Sequence, residues 1–162
     1  MPNESQSAVL IAGAIAGWKT TLDKADKFFA NLDEVALYQE VAPGRNRLIY
    51  LLGHLTAMHD RMIALLGFSD RVCPELDEVF LTSPDKAVEL PSVEAIRSRW
   101  SEVSTKLNSG IDALSTSDWL TRHTAVSEED FAREPLRNRF SILLSRTNHL
   151  SHHLGQAALV RK

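Results

Sequence analysis

The sequence has little cysteine, no excess of positive charge and no long apolar run, and each of these absences excludes a class of protein. Its single cysteine, Cys73, cannot form an internal disulfide and offers no CxxC pair for a zinc or redox site. The formal net charge is −3 and the 18 Lys and Arg residues are scattered along the chain. The basic footprint of a nucleic-acid-binding protein is therefore missing, and we expect no nucleic-acid partner.

Long apolar segments are missing as well. The most apolar early run, residues 8–18, is about half the ~20 residues that a helix needs to cross a bilayer, and no basic segment precedes it. We therefore expect no signal peptide and no membrane anchor, and the reducing cytoplasm best fits a lone cysteine. With 162 residues, 44% of them hydrophobic and 24% charged, the chain is typical of one globular domain over residues 1–162.

What the sequence does contain is apolar spacing of helical period. Steps of three and four residues predict four amphipathic helices, over residues 8–32, 45–67, 92–114 and 136–160. The apolar face predicted for the first helix comprises Leu10, Ala14, Trp18, Leu22, Ala25, Phe29 and Leu32. Gly67 is expected just beyond the end of the second helix, and Ser92 as the N-cap of the third.

The connections between these helices indicate the fold. Residues 68–91 lack periodicity and contain three prolines, and such a long connection is typical of a chain that must cross the molecule. The second and third helices are therefore expected to run parallel. A mixed segment, residues 115–135, contains Ser127 and Asp130 at capping-box spacing. We predict an all-α four-helix bundle with one crossover connection.

Three histidines lie close together in the last predicted helix, within TNHLSHHLGQAALV at residues 147–160. On a helical wheel His149 and His153 are about 40° apart, at the edge of the apolar face, whereas His152 turns toward solvent. A histidine pair at i and i+4 is the spacing with which one helix binds a divalent ion through two imidazoles. The pair is therefore half of a candidate metal site.

A third ligand must come from elsewhere in the chain. The candidates are carboxylates and three more histidines, His54, His59 and His123. We favour His54, which occupies the edge of its apolar face; His59 lies about 140° away, and the position of His123 cannot be derived. On spacing alone the alternative is more common, namely that such histidines only hydrogen-bond to neighbouring groups.

The order of the histidine motifs resembles that of the DinB-like (damage-inducible, YfiT-like) superfamily. The resemblance extends over nearly the whole chain and rests on Gly53-His54-Leu55 in the second helix and His149-x-x-x-His153-x-Gly155-Gln156 in the fourth. It implies a four-helix bundle of up-down-down-up topology, in agreement with the crossover. It also implies one divalent ion per chain, zinc or nickel, on His54, His149 and His153.

The resemblance implies an activity less firmly than a site. Characterised members include S-transferases that use low-molecular-weight thiols such as bacillithiol, and mycothiol-dependent isomerases; many members have no known activity, and dimers are common. We therefore expect a homodimer with a metal-dependent thiol S-transferase activity in detoxification or stress response, acting on a thiol and an electrophilic small molecule. The alternatives are a non-catalytic metal- or ligand-binding helical dimer and a metal-dependent hydrolase.

Three polar residues are expected near the metal site. Gln156 projects on the same side as both helix-four histidines, so it would support a ligand or contact a substrate. Arg146 and Arg61 each lie near a predicted ligand and would bind an anionic substrate, although solvated arginines are an equal alternative. The sequence does not identify a catalytic residue, and it suggests no role for His59, His123 or Cys73.

Two glycines in helix interiors call for a separate explanation. Each costs a helix about 1 kcal/mol relative to Ala. Gly53 and Gly155 are predicted to lie on the side away from the core. We expect them to permit close approach of another helix, for example from a partner subunit.

Overall fold

The computed structural model describes residues 4–160, and every regular element in that part of the chain is helical. The all-α prediction is thus confirmed. The elements are α1 (Glu4–Ala30), α2 (Glu34–Leu37), α3 (Leu48–Leu65), α4 (Val93–Ala113), α5 (Thr116–Trp119), α6 (Glu128–Arg133) and α7 (Arg139–Ala158), with a π-helical turn at Glu78–Thr82 between α3 and α4.

The core lies between the apolar faces of the four long helices, α1, α3, α4 and α7. The predicted periodicity places most of these residues correctly, for example Trp18 and Phe29 on α1, both at most 2% exposed. Leu10 is an error of the prediction, because it is 65% exposed while Ile11 is only 4% exposed. Ile11, seven residues before Trp18, lies on nearly the same side of the helix, whereas Leu10, eight residues before it, is rotated by about 80°.

Contacts between named residues show how the long helices are ordered. The His59 ring lies against Trp100, and the Phe68 ring packs on Gly110, so α3 and α4 run parallel. In contrast, His54 contacts His149 and the turn after α3 approaches Arg139, so α3 and α7 run antiparallel. These pairs support the crossover connection expected between the second and third predicted helices.

Helix ends follow the capping residues of the sequence. The Ser92 side chain accepts a hydrogen bond from Ala95 N at 3.2 Å, and Gly67 has φ +74°, so both predicted caps are confirmed. The last long helix starts later than predicted, at Arg139, because Asn138 acts as its N-cap. Similarly, α3 starts after residues 45–47, which belong to a loop closed by a bridge between Glu40 and Arg47.

The connection across the molecule is fixed by a buried carboxylate. Asp60, on α3, accepts hydrogen bonds from the backbone N–H groups of Val72 (2.6 Å) and Cys73 (3.2 Å) and from Arg71 Nε (2.9 Å). Because an unpaired buried charge is costly, this set of donors both satisfies Asp60 and holds the connection on α3.

No element of residues 4–160 is both long and apolar enough to span a membrane.

Candidate metal centre

Two antiparallel helices bring the three predicted histidine ligands together. His54 lies on α3, while His149 and His153 lie one turn apart on α7. The Nε2 atom of His149 is 3.1 Å from that of His54 and 3.1 Å from that of His153. The three ligand atoms all lie within 4.8 Å of one another, and all three side chains are half-buried.

Hydrogen bonds on the outer side of two rings determine where their lone pairs point. His54 Nδ1 is 3.0 Å from the carbonyl oxygen of Phe80, which can only accept, so this nitrogen carries the proton. His153 Nδ1 donates in the same way to Gln156 Oε1 at 2.8 Å. In the neutral rings, the Nε2 lone pairs of His54 and His153 therefore point toward His149.

The donor set fits a divalent cation. An N–H of His149 could satisfy only one of the two facing lone pairs, whereas a cation interacts favourably with all three nitrogens. Two imidazole nitrogens on a tetrahedral zinc ion with ordinary bond lengths lie about 3.3 Å apart, close to the separation found here. Three protein ligands would leave one coordination position for water or a substrate, as in catalytic sites.

The protonation states also suit metal binding. Burial, reinforced by the nearby His153, His54 and Arg146, lowers the pKa of His149 to about 4. Burial likewise lowers the pKa of His153 below its ordinary value. Both rings are thus neutral at pH 7, which is the form that coordinates a metal.

A comparison with known protein families identifies the chain. The family model of the DinB superfamily matches residues 18–157, which include all three clustered histidines. The chain belongs to the DinB superfamily. No curated protein matches it closely enough to add a more specific assignment.

The other predicted site residues of this DinB-superfamily chain differ in their hydrogen bonds and ion pairs. Gln156 is the hydrogen-bond partner of His153, as described above. Arg61 donates to Asp77 at 2.7 Å, so its charge is already paired. Arg146 is half-buried, its Nε has no partner among the described residues, and burial together with the nearby Arg61 lowers its pKa. Of the two arginines, Arg61 is thus paired, whereas Arg146 has no ion-pair partner in the described part of the chain.

The remaining histidines and the cysteine lie outside the cluster. His59 is fully buried between the rings of Trp18 and Trp100, and His152 is exposed, as its wheel position predicted. His123 lies before α6 and is not part of the cluster. Burial raises the pKa of the Cys73 thiol to about 12, so it is not a thiolate nucleophile near neutral pH.

The prediction for Gly53 was wrong, whereas close approach of a partner helix at Gly155 stays a prediction. Gly53 is buried, and a Cβ there would lie 2.6 Å from Phe80 Cδ1 and closer still to two other ring atoms. The close approach is therefore made by the π-helical turn of the same chain, not by a partner helix. Gly155 is exposed, with no described atom within 4 Å of the position a Cβ would take.

Phe80 is the site residue that the sequence did not reveal. Its ring packs on Gly53 while its carbonyl oxygen orients His54, the next residue along α3. The backbone carbonyl of any residue type could accept this bond, so no side-chain pattern indicates it. The only trace in the sequence is the glycine beside the histidine, a residue that often marks close approach of another group.

Proposed function

We propose that this protein is a divalent-metal-dependent enzyme that transfers a low-molecular-weight thiol to an electrophilic small molecule, in detoxification or stress response. The observation that carries the proposal is the convergence of three Nε2 atoms. That of His149 lies 3.1 Å from each of the other two, and hydrogen bonds fix the lone-pair directions of His54 and His153. The expected ion is zinc or nickel, although imidazole ligands suit several transition metals. Membership of the DinB superfamily supports thiol transfer over hydrolysis.

The proposed reaction forms a carbon–sulfur bond. A divalent ion held by His54, His149 and His153 would make the thiol of the substrate more acidic near neutral pH. The sulfur then attacks the electrophilic carbon, whose leaving group departs with the bonding electron pair, and the thiol proton passes to solvent.

The chain itself supplies orientation and charge. The hydrogen bonds from His54 to Phe80 and from His153 to Gln156 keep two rings in the required tautomer and direction. Arg146, which has no ion-pair partner among residues 4–160, places its positive charge one turn before His149. This charge favours the anionic form of a thiol at the site, because opposite charges a few ångströms apart stabilise each other.

Metal analysis tests the site most directly. Protein purified without a histidine tag and supplied with zinc or nickel is expected to hold about one ion per chain by elemental analysis. His153→Ala should lose the ion, because only two of the three imidazole ligands remain. His152→Ala is the matched control, since this neighbouring histidine on α7 is exposed. Wild-type protein that retains no metal would overturn the proposal.

Turnover separates the enzyme from a protein that only binds metal. The metal-loaded protein is expected to conjugate a small thiol to an electrophile, and His153→Ala to lose this activity. Bound metal without turnover over a broad panel of thiols and electrophiles would favour the non-catalytic alternative. The homodimer expected from the sequence stays a prediction, which light scattering would test.

A further inference from the structure

A pocket opens directly beside the histidine cluster. Its volume is about 510 Å³, which is enough for a small organic molecule. His153 and Gln156 of α7 line it together with residues of the loop before α3. The residues that line it are Val41, Ala42, Arg45, Asn46, Leu51, His153, Gln156 and Leu159.

The loop that carries Arg45 is held in one conformation. Val41 N donates to Asn46 O at 3.0 Å, and Arg45 N donates to Ala42 O at 2.9 Å. Gly44 adopts φ +74°, and its N–H donates to the Glu40 carboxylate at 2.7 Å. Because backbone bonds close the loop on itself, Arg45 starts from a defined position at the pocket wall.

The one charged side chain that lines the pocket is positive. Arg45 has no ion-pair partner among the described residues, and no carboxylate lines the pocket. The carboxylate nearest in sequence, Glu40, is paired with Lys86 and with the Gly44 N–H. The Gln156 Oε1 atom faces His153, which leaves the amide NH₂ group of Gln156 as a donor. The pocket thus presents the positive charge of the exposed Arg45 and the amide donor of Gln156.

We infer that this pocket binds the carboxylate of a carboxylate-bearing thiol, with Arg45 as the residue that recognises it. The inference rests on the proposed function, in which the sulfur of the same molecule lies at the histidine cluster. The thiol is favoured over the electrophile because the pocket begins at His153, one of the proposed ligands. Val41, Leu51 and Leu159 provide apolar contact for the carbon chain between the two ends.

The experiment compares two thiols that differ in the carboxylate. Cobalt(II) serves as the probe ion, because a cobalt–sulfur bond gives an absorption band from which a thiol affinity is obtained. Wild-type protein is expected to bind 3-mercaptopropionate about tenfold more tightly than 2-mercaptoethanol, the usual effect of one charge-assisted hydrogen bond. Arg45→Gln should abolish this preference, and Arg45→Lys should restore part of it.

A matched control removes the same charge elsewhere. Arg133→Gln, on α6, leaves the pocket intact and should keep the wild-type preference, because Arg133 is exposed and paired with Glu129. Circular dichroism and thermal unfolding of each variant establish that the fold is unchanged. The affinity for 2-mercaptoethanol should be similar in all of them, since it has no carboxylate.

The outcomes distinguish this inference from the proposed function. Equal affinities for the two thiols in wild-type protein would overturn the inference while leaving the metal site in place. A preference that survives in Arg45→Gln and disappears in Arg146→Gln would also overturn it, because the carboxylate would then be bound by Arg146. Protein that binds no cobalt would instead overturn the proposed function itself.

Discussion

The Nδ1 atoms of the three clustered histidines differ in their hydrogen bonding. His54 is held by a backbone carbonyl and His153 by the side chain of Gln156, whereas His149 Nδ1 is buried without a described partner. Side-chain support can be removed by substitution, and backbone support cannot. Gln156 is therefore the residue at which the effect of ring orientation on metal affinity can be measured.

Gln156→Ala is expected to weaken metal binding 10- to 100-fold, the usual cost of losing such an outer hydrogen bond. The reason is that His153 Nδ1–H loses its acceptor, so neither its tautomer nor its ring direction is fixed. Gln156→Glu keeps an acceptor at this position and should retain most of the affinity. Competition with a chromophoric chelator measures both values, and an unchanged affinity in Gln156→Ala would contradict this view.

Among the helical elements, the π-helical turn at Glu78–Thr82 connects stability to the site. Gly53 lets the Phe80 ring lie directly on α3, and the Phe80 carbonyl then reaches His54. Tyr50, one turn earlier on α3, anchors the same turn by donating to Ser83 O at 2.7 Å. A substitution on the buried face of α3 should therefore change both the free energy of unfolding and the metal affinity.

Gly53→Ala tests this connection against a matched substitution. A methyl group at Gly53 would overlap the Phe80 ring, so we expect a loss of about 1–3 kcal/mol in the free energy of unfolding and weaker metal binding. Gly155→Ala has open space and should gain up to about 1 kcal/mol from helix propensity. Denaturant unfolding measures both, and an equal gain in the two variants would refute the proposed overlap.

The long helices were predictable from the sequence because their apolar residues repeat at the helical period. The apolar spacing located the four long helices, and the i, i+4 spacing together with the edge position of His54 selected the three residues that the structure brings together. Contacts made by the irregular connection have no period. The pairing of Arg61 with Asp77, the anchoring role of Asp60 and the contact of Phe80 with Gly53 were therefore not foreseen.

For the molecule as a whole, a buried histidine joins three of the long helices. His59 of α3 is fully buried, with ring centroids 5.0 Å from Trp18 of α1 and 5.2 Å from Trp100 of α4. Neither of its nitrogens has a hydrogen-bond partner among the described residues. Burial lowers the pKa of His59 from 6.5 to about 3, and the nearby His149, Arg146 and His54 act in the same direction.

This pKa predicts that acid destabilises the whole fold. The unfolded chain binds a proton at His59 below about pH 6.5 while the folded chain does not, so the free energy of unfolding falls as the pH drops toward 3. At pH 5 the loss from His59 is about 2 kcal/mol. His59→Phe keeps a ring between the two tryptophans and removes the titration. Urea unfolding with a chelator present, which excludes metal release, should show a smaller loss between pH 7 and pH 5 in this variant than in the wild type; equal losses would show that His59 does not cause the acid sensitivity.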